Sequence, residues 1–342
     1  MPGASWWVGR GDRTLSHGAL GLTALEPGAA PVGEGTPFDL ASLTKPLVTA
    51  VLLVMLEREG RLDLDAPLGS LMPEMADSAY SSCSLLSLAS HTAGLPAWWP
   101  LYLQSSAMAG YLDQIAERPP AAAETLYSDL GYIVLGAVIE RVTGRGLDRL
   151  FRERVAGPLG LARTGFPSPA RDFSDAAATE RGNSFERAMA GEKGSRFAWR
   201  DEIPRGEVHD ANAHGLGGVA AHAGLFGTAS EVARIARELL RPGELALDRD
   251  ARRRLLQIVP PSRGRTVGMV VAAHASSARG ILADVCPGHT GFTGTSLWLD
   301  PALDCHYVLL TNRVHPRVPR REFRWLRRGF HRLALRRCRS AV

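Results

Sequence analysis

ASLTKPL, residues 41–47, holds one of only two lysines in the 342-residue chain. The other is Lys193, and Lys and Arg together number 40, so 38 of the cationic side chains are arginine. A chain that writes nearly every cation as arginine here places a lysine three residues after a serine. Arginine does not release its proton in a protein, whereas a desolvated lysine does, so the position reads as one that needs a titratable amine. A serine hydroxyl is a weak nucleophile until a base takes its proton, and a neutral lysine serves as that base. The apolar run Leu47–Leu56 predicts a buried helix starting near Ser42 and ending near Gly60. On such a helix Ser42 and Lys45, at i and i+3, share one face. Burial lowers the pKa of the amine, and the helix start offers N–H groups and a positive dipole end to a developing oxyanion. Pro46 falls just past the first turn, where a helix tolerates it. Alone, a four-residue S-x-x-K pattern is one that chance supplies in most long chains.

The chain is long enough for a large core, in one big domain or two smaller ones. Its composition, 45% hydrophobic and 22% charged, is that of a globular enzyme. The longest apolar run is far short of the roughly 18 residues a membrane helix needs. The opening MPGASWWVGRGDRTL lacks a basic segment followed by an apolar one, so no signal peptide is visible. The expectation is a cytoplasmic protein, or a periplasmic or extracellular one if the true start lies upstream. Cys83, Cys286, Cys305 and Cys338 show no C-x-x-C spacing and are expected as free thiols. Eleven arginines and one acid, Glu322, lie from Arg313 onward. With Phe323, Leu326, Phe330 and Leu333 at near-helical spacing, this segment reads either as a terminal helix packed on a sheet or as a basic helix touching membrane or nucleic acid. No nucleic-acid module supports the second reading.

Short strands broken by Gly and Pro open the chain at Ser5–Val8 and Leu15–Leu22. From about 61 to 259 helix signals and loops dominate. Asn183–Gly206 reads as a long surface loop, and SEVARIARELL (230–240) as an amphipathic helix capped by Ser230. Val267–Ala272, Thr295–Leu299 and His306–Thr311 are β-rich, with a DPALD turn at 300–304. The predicted fold is therefore α+β: an antiparallel sheet flanked by helices and built from both termini, residues 1–60 and 260–342, around a mainly helical inserted region, 61–259.

Two further motifs carry chemistry. YSDLGY, 127–132, starts a helix capped by Ser128 or Asp129, and Tyr127 just before it presents a phenol to a bound amine. A nearby cation would lower that phenol below its usual value of about 10. GHTGFTGTSLWLD, 288–300, surrounds a His and a Thr with small residues on an apparent strand, so that a substrate backbone can lie along the edge.

These three elements, in this order, resemble the serine β-lactamase and penicillin-binding protein superfamily, in its class C β-lactamase-like branch of D-alanyl peptidases and esterases. PFDLASLTK resembles the nucleophile segment, LASHTAGLP (88–96) the SHTSGLP stretch, and AGLFGTASEVARI (223–235) the GGLFSTAxDLARF helix. GHTG and the strand pair ending in LLTNR (309–313) complete the series, which spans most of the chain. The resemblance implies Ser42 as acylated nucleophile, Lys45 as its proton partner and Tyr127 as a base that also serves the leaving group. It implies Asp129, His289, Thr290, Gly291 and Phe292 along the substrate, with the amides of Ser42 and Phe292 as oxyanion hole, and no cofactor or metal. His91 is taken as structural.

Two positions depart from the pattern. Asp129 stands where Asn is usual, favouring a protonated Lys45 and shifting the base role towards Tyr127. His289 stands where Lys is usual and is mostly neutral near pH 7. Both weaken the positive field for a substrate carboxylate, and Asp129 would repel an acidic substrate, so the reading leans to a neutral ester or peptide-like acyl donor. The expected function is a serine hydrolase working through an acyl-enzyme on a small or peptide-like ester, amide or β-lactam, leaning to esterase or D-alanyl-peptidase-like activity. The alternatives are a dedicated class C-like β-lactamase and a catalytically silent relative that binds peptidoglycan fragments or a partner protein. A metal hydrolase based on His209, Asp210, His214 and His222 lacks an H-E-x-x-H helix, and an α/β-hydrolase lacks its G-x-S-x-G elbow. No nucleic-acid partner and no stable membrane insertion are expected.

Overall fold

The computed structural model describes residues 1–25, 29–121, 125–319 and 323–340. The N-terminal hairpin consists of β1 (Gly3–Arg10) and β2 (Arg13–Gly21), turning at Gly11, whose φ of +53° suits glycine. Two short strands, β3 (Phe38–Asp39) and β4 (Phe226–Gly227), pair with each other near the start of the S-x-x-K segment. The C-terminal strands are β5 (Val270–Val271), β6 (Pro287–Thr290), β7 (Ser296–Asp300) and β8 (Cys305–Thr311). β8 pairs with β1, which joins both ends of the chain in one antiparallel sheet of order β2-β1-β8-β7-β6-β5.

Strand alternation explains why both faces of that sheet are covered. Side chains along a strand point to opposite faces in turn. Leu297, Leu299, Val308 and Leu310 join the main core, while Trp298 and Tyr307 join a second core with Val8, Ala334, Leu335 and Cys338. The first face packs on helices of the middle region and the second on the helix Arg324–Arg339, which buries His331, Ala334, Leu335 and Cys338 and leaves Arg332, Arg336, Arg337 and Arg339 exposed. The arginine-rich segment is thus a terminal helix packed on a sheet. Glu322 lies outside the described residues. No helix among the described residues is long and apolar enough to cross a membrane, and all four cysteines are free.

Three expectations need correction. The helix after Ser42 is not regular from its start: a single 3-10 turn at Ala41–Leu43 leads to a wide π-type turn at Lys45–Thr49, and only then to α1 (Ala50–Arg58). Pro46 lies in that wide turn; it has no N–H, and its ring crowds a regular helix. The helix at 229–240 (α4 below) is capped by Thr228, not Ser230, because the Thr228 hydroxyl is the one that accepts the Glu231 N–H. The supposed loop 183–206 contains a helix, Ser184–Ala190, whose Phe185, Glu186 and Met189 line a pocket. Of the helices that shape the site, α2 is Asp129–Thr143, α3 is Ser184–Ala190, α4 is Ala229–Leu240 and α5 is Arg324–Arg339.

Candidate active site

Ser42 stands on a strained approach. Ala41, just before it, has φ +47°, a left-handed conformation that a side chain disfavours. Hydrogen bonds from four sides hold this backbone. Asp39 Oδ1 accepts the Ala41 N–H at 2.8 Å, and Thr44 Oγ1 donates to the Ala41 carbonyl at 2.7 Å. From the β6–β7 side, Thr293 Oγ1 donates to the Asp39 carbonyl at 2.7 Å and Thr295 Oγ1 to the Leu40 carbonyl at 3.1 Å. The nucleophile segment is therefore tied to the edge where GHTGFTGT turns.

Lys45 is wholly buried, whereas the other lysine, Lys193, lies exposed with its Nζ 3.6 Å from the centroid of the Trp99 ring. Lys45 Nζ is 3.0 Å from Ser42 Oγ, 2.9 Å from the His222 carbonyl oxygen and 2.7 Å from Asp129 Oδ1. An ammonium has three N–H donors, and these are three acceptors. A neutral amine keeps two of them, for His222 and Asp129, and turns its lone pair to the Ser42 hydroxyl. Burial pushes the Lys45 pKa below the ordinary 10.5, with the Asp129 carboxylate pulling the other way. Burial prevails, so the position favours release of the proton.

The Tyr127 hydroxyl donates to Ser42 Oγ at 2.8 Å. Ser128, next in the chain, caps α2 by accepting the Gly131 N–H and donates its own hydroxyl to the Pro96 carbonyl at 2.7 Å. Its N–H donates to His91 Nδ1 at 3.1 Å, and the His91 ring lies 4.7 Å from that of Tyr127. His91 is thus a positioning group beneath the phenol, and burial, then the cations Arg265 and Lys45, hold it neutral, well below 6.5. The expected lowering of the Tyr127 pKa is reversed. Burial, and after it the Asp129 carboxylate, push the phenol well above 10.0, although Arg265 opposes them. The amine is thus the group whose proton burial loosens, and the phenol the one that holds its proton more tightly.

β5 pairs with β6 only at Pro287 and Gly288, so the edge at His289 and Thr290 is left open beside Ser42. Gly288 and Gly291 have no room for a side chain: a Cβ at 288 would lie 2.4 Å from the Trp298 ring, and one at 291 would lie 2.1 Å from Thr295 Oγ1. His289 is buried and neutral, held well below 6.5 by burial and by Lys45 and Arg265. Two cavities meet at Ser42, Tyr127, Asp129 and Phe292. One, about 180 Å³, is walled by Trp98, Phe185, Met189 and Ala223 with Glu186 and Asp210; the other, about 470 Å³, runs along His289, Thr290 and Gly291 and is lined by Arg265, Arg313 and Arg327.

All eight expected site residues, Ser42, Lys45, Tyr127, Asp129, His289, Thr290, Gly291 and Phe292, come together around this junction. The sequence reading missed the three arginines, because nothing distinguishes them locally among 38. The cluster weighed as a metal site is divided among other tasks. His222 Nε2 bonds Asp210 Oδ1 at 2.9 Å while its carbonyl holds Lys45, His209 bonds Glu180 at 2.9 Å, and His214 does not line the cavities.

A sheet from both termini, a helical middle region and a serine held between an amine and a phenol at their junction define a β-lactamase-like fold of class C type. Residues 1–329 match the Beta-lactamase family, and the chain belongs to it. It is 28% identical over 353 residues to the "N-acetylmuramyl-L-alanine amidase" of Bacillus subtilis (strain 168), covering 93% of this chain and 78% of that protein. It is 31% identical over 314 residues to the "Putative D-alanyl-D-alanine carboxypeptidase" of Escherichia coli (strain K12), covering 83% of this chain and 70% of that one. In fold it is similar to the class C beta lactamase from Rhodobacter sphaeroides, with a TM-score of 0.74 at 18% identity over 100% of this chain and 95% of the other.

Proposed function

We propose that this protein is a serine hydrolase that cleaves a D-alanyl-peptide-like amide through an acyl-enzyme on Ser42. The observation that carries the reading is the convergence on Ser42 Oγ of Lys45 Nζ at 3.0 Å and Tyr127 OH at 2.8 Å, beside an open strand edge. Neutral Lys45 takes the Ser42 proton as Oγ attacks the carbonyl. The amides of Ser42 and Phe292 receive the oxyanion. Tyr127 passes its proton to the leaving nitrogen and regains one from Lys45, so the acyl-enzyme forms with no net change in protons. Water then attacks the ester along the reverse route.

Tyr127 stands on the side of Arg265, whose guanidinium is 5.7 Å from the phenol ring centroid. The leaving group therefore departs into the arginine-lined cavity, and Arg265 supplies the positive charge that His289 does not. This supports a peptide with a terminal carboxylate over a neutral ester. The test is a panel of a short p-nitrophenyl ester, a chromogenic cephalosporin and a D-Ala-D-Ala peptide. Preferred turnover of the peptide is expected; rapid cephalosporin turnover with an untouched peptide would instead favour the dedicated β-lactamase.

A further inference from the structure

The larger cavity holds more positive charge than one carboxylate needs. Arg265, Arg313 and Arg327 line it, and among the described residues none of the three has a carboxylate within ion-pair distance. The one acid among the described residues of its wall, Asp129, is taken by Lys45 at 2.7 Å. Arg313 Nη1 donates to the Phe292 carbonyl at 3.1 Å, and Arg327 Nη2 donates to the carbonyls of Gly291 at 2.6 Å and Thr295 at 2.9 Å. Both guanidiniums lie against the Phe323 ring, 5.8 and 5.5 Å from its centroid. Two like charges are thus held together on one aromatic ring, partly out of water, with no carboxylate opposite them among the described residues. Among the described residues, the buried Nε atoms of both arginines, and Nδ1 of His289, which is only 4% exposed, have no hydrogen-bond partner. Burial, and after it the charge of Arg313, bring the Arg327 pKa down to about 9. An arrangement of this kind is relieved by an anion, because a charge-assisted pair is strongest where water is excluded.

From this geometry we propose that the leaving half of the substrate is an acidic amino acid: Arg265, beside the Tyr127 phenol, takes its α-carboxylate, and the Arg313–Arg327 pair takes a second carboxylate on its side chain. The inference rests on the peptidase reading for the identity of the leaving group, but the subsite itself is measurable without peptide cleavage. The probes are free D-glutamate and its neutral isostere D-glutamine, each as a competitor of p-nitrophenyl acetate hydrolysis. D-Glutamate should inhibit at least about tenfold more tightly than D-glutamine, and Arg313→Gln should bring the ratio of the two towards one. The ratio is the readout because Arg313 also holds the Phe292 carbonyl, and a general loss of activity leaves a ratio unmoved. Equal inhibition by the two amino acids overturns the proposal. In parallel, matched acyl-D-Glu and acyl-D-Gln peptides are assayed for cleavage. A D-glutamate preference without cleavage of either peptide keeps the subsite and discards the peptidase reading.

Discussion

At the scale of single residues the chemistry depends on how three groups share protons around Ser42. Lys45 has its pKa pulled below 10.5 by burial against the resistance of Asp129, and Tyr127 has its pKa pushed well above 10.0. Activity should therefore rise with pH as Lys45 loses its proton, along a limb centred below 10.5. Replacing Asp129→Asn removes the carboxylate that favours the ammonium, so that limb should move to lower pH; a pH profile of kcat/KM for both proteins measures it. Movement to higher pH would mean that the carboxylate does something other than hold the proton. Tyr127→Phe should lower turnover by about 10²–10⁴-fold, the usual worth of a positioned proton donor, with circular dichroism unchanged. The identities of these residues were legible in the sequence: a lysine in an arginine chain, one turn from a serine, is a local signal. The sense of the Tyr127 shift was not, because it depends on which of Asp129, Arg265 and the surrounding apolar wall prevails, and these come from distant parts of the chain.

Secondary elements fix those groups in place. The N-cap of α2 lies next to Tyr127, so Ser128→Ala should cost about 1 kcal/mol of stability as the cap is lost, measurable as a lowered denaturation midpoint. It also frees the backbone just after the phenol. On the other side, Gly291→Ala forces a Cβ to within 2.7 Å of the Leu40 carbonyl oxygen. It should lower acylation by about 10²–10³-fold, as when an oxyanion donor is displaced. Native acylation in Gly291→Ala would show that the turn carries no oxyanion contact. Elements with strong periodicity, such as the strands around Trp298 and Tyr307 and the helix Ala229–Leu240, were readable in advance. The helix Ser184–Ala190 was not: seven residues flanked by Gly and charge carry little periodicity, and it is packing of Phe185 against Phe292, with ring centroids 4.9 Å apart, that gives it a place.

Over the whole molecule, the ends of the chain build the site together. Pairing of β1 with β8 joins the termini, and α5 covers the second face of the sheet while sending Arg327 to the turn between β6 and β7. Arg327→Ala should slow acylation by about 10²-fold through a misplaced turn with the sheet intact, as read by stopped-flow acylation beside circular dichroism. This long-range contact, like the Arg313 and Arg327 lining of the larger cavity, was hidden in a segment whose charge looked like solvent-facing surface. The most direct test of the account is peptide mass mapping after brief exposure to p-nitrophenyl acetate. The account predicts one acetyl group on Ser42 in the native protein, none in Ser42→Ala, and labelling slower by about 10²-fold or more in Lys45→Arg, which keeps the charge and loses the base. An acetyl group on another residue, or Lys45→Arg labelling at the native rate, would contradict it.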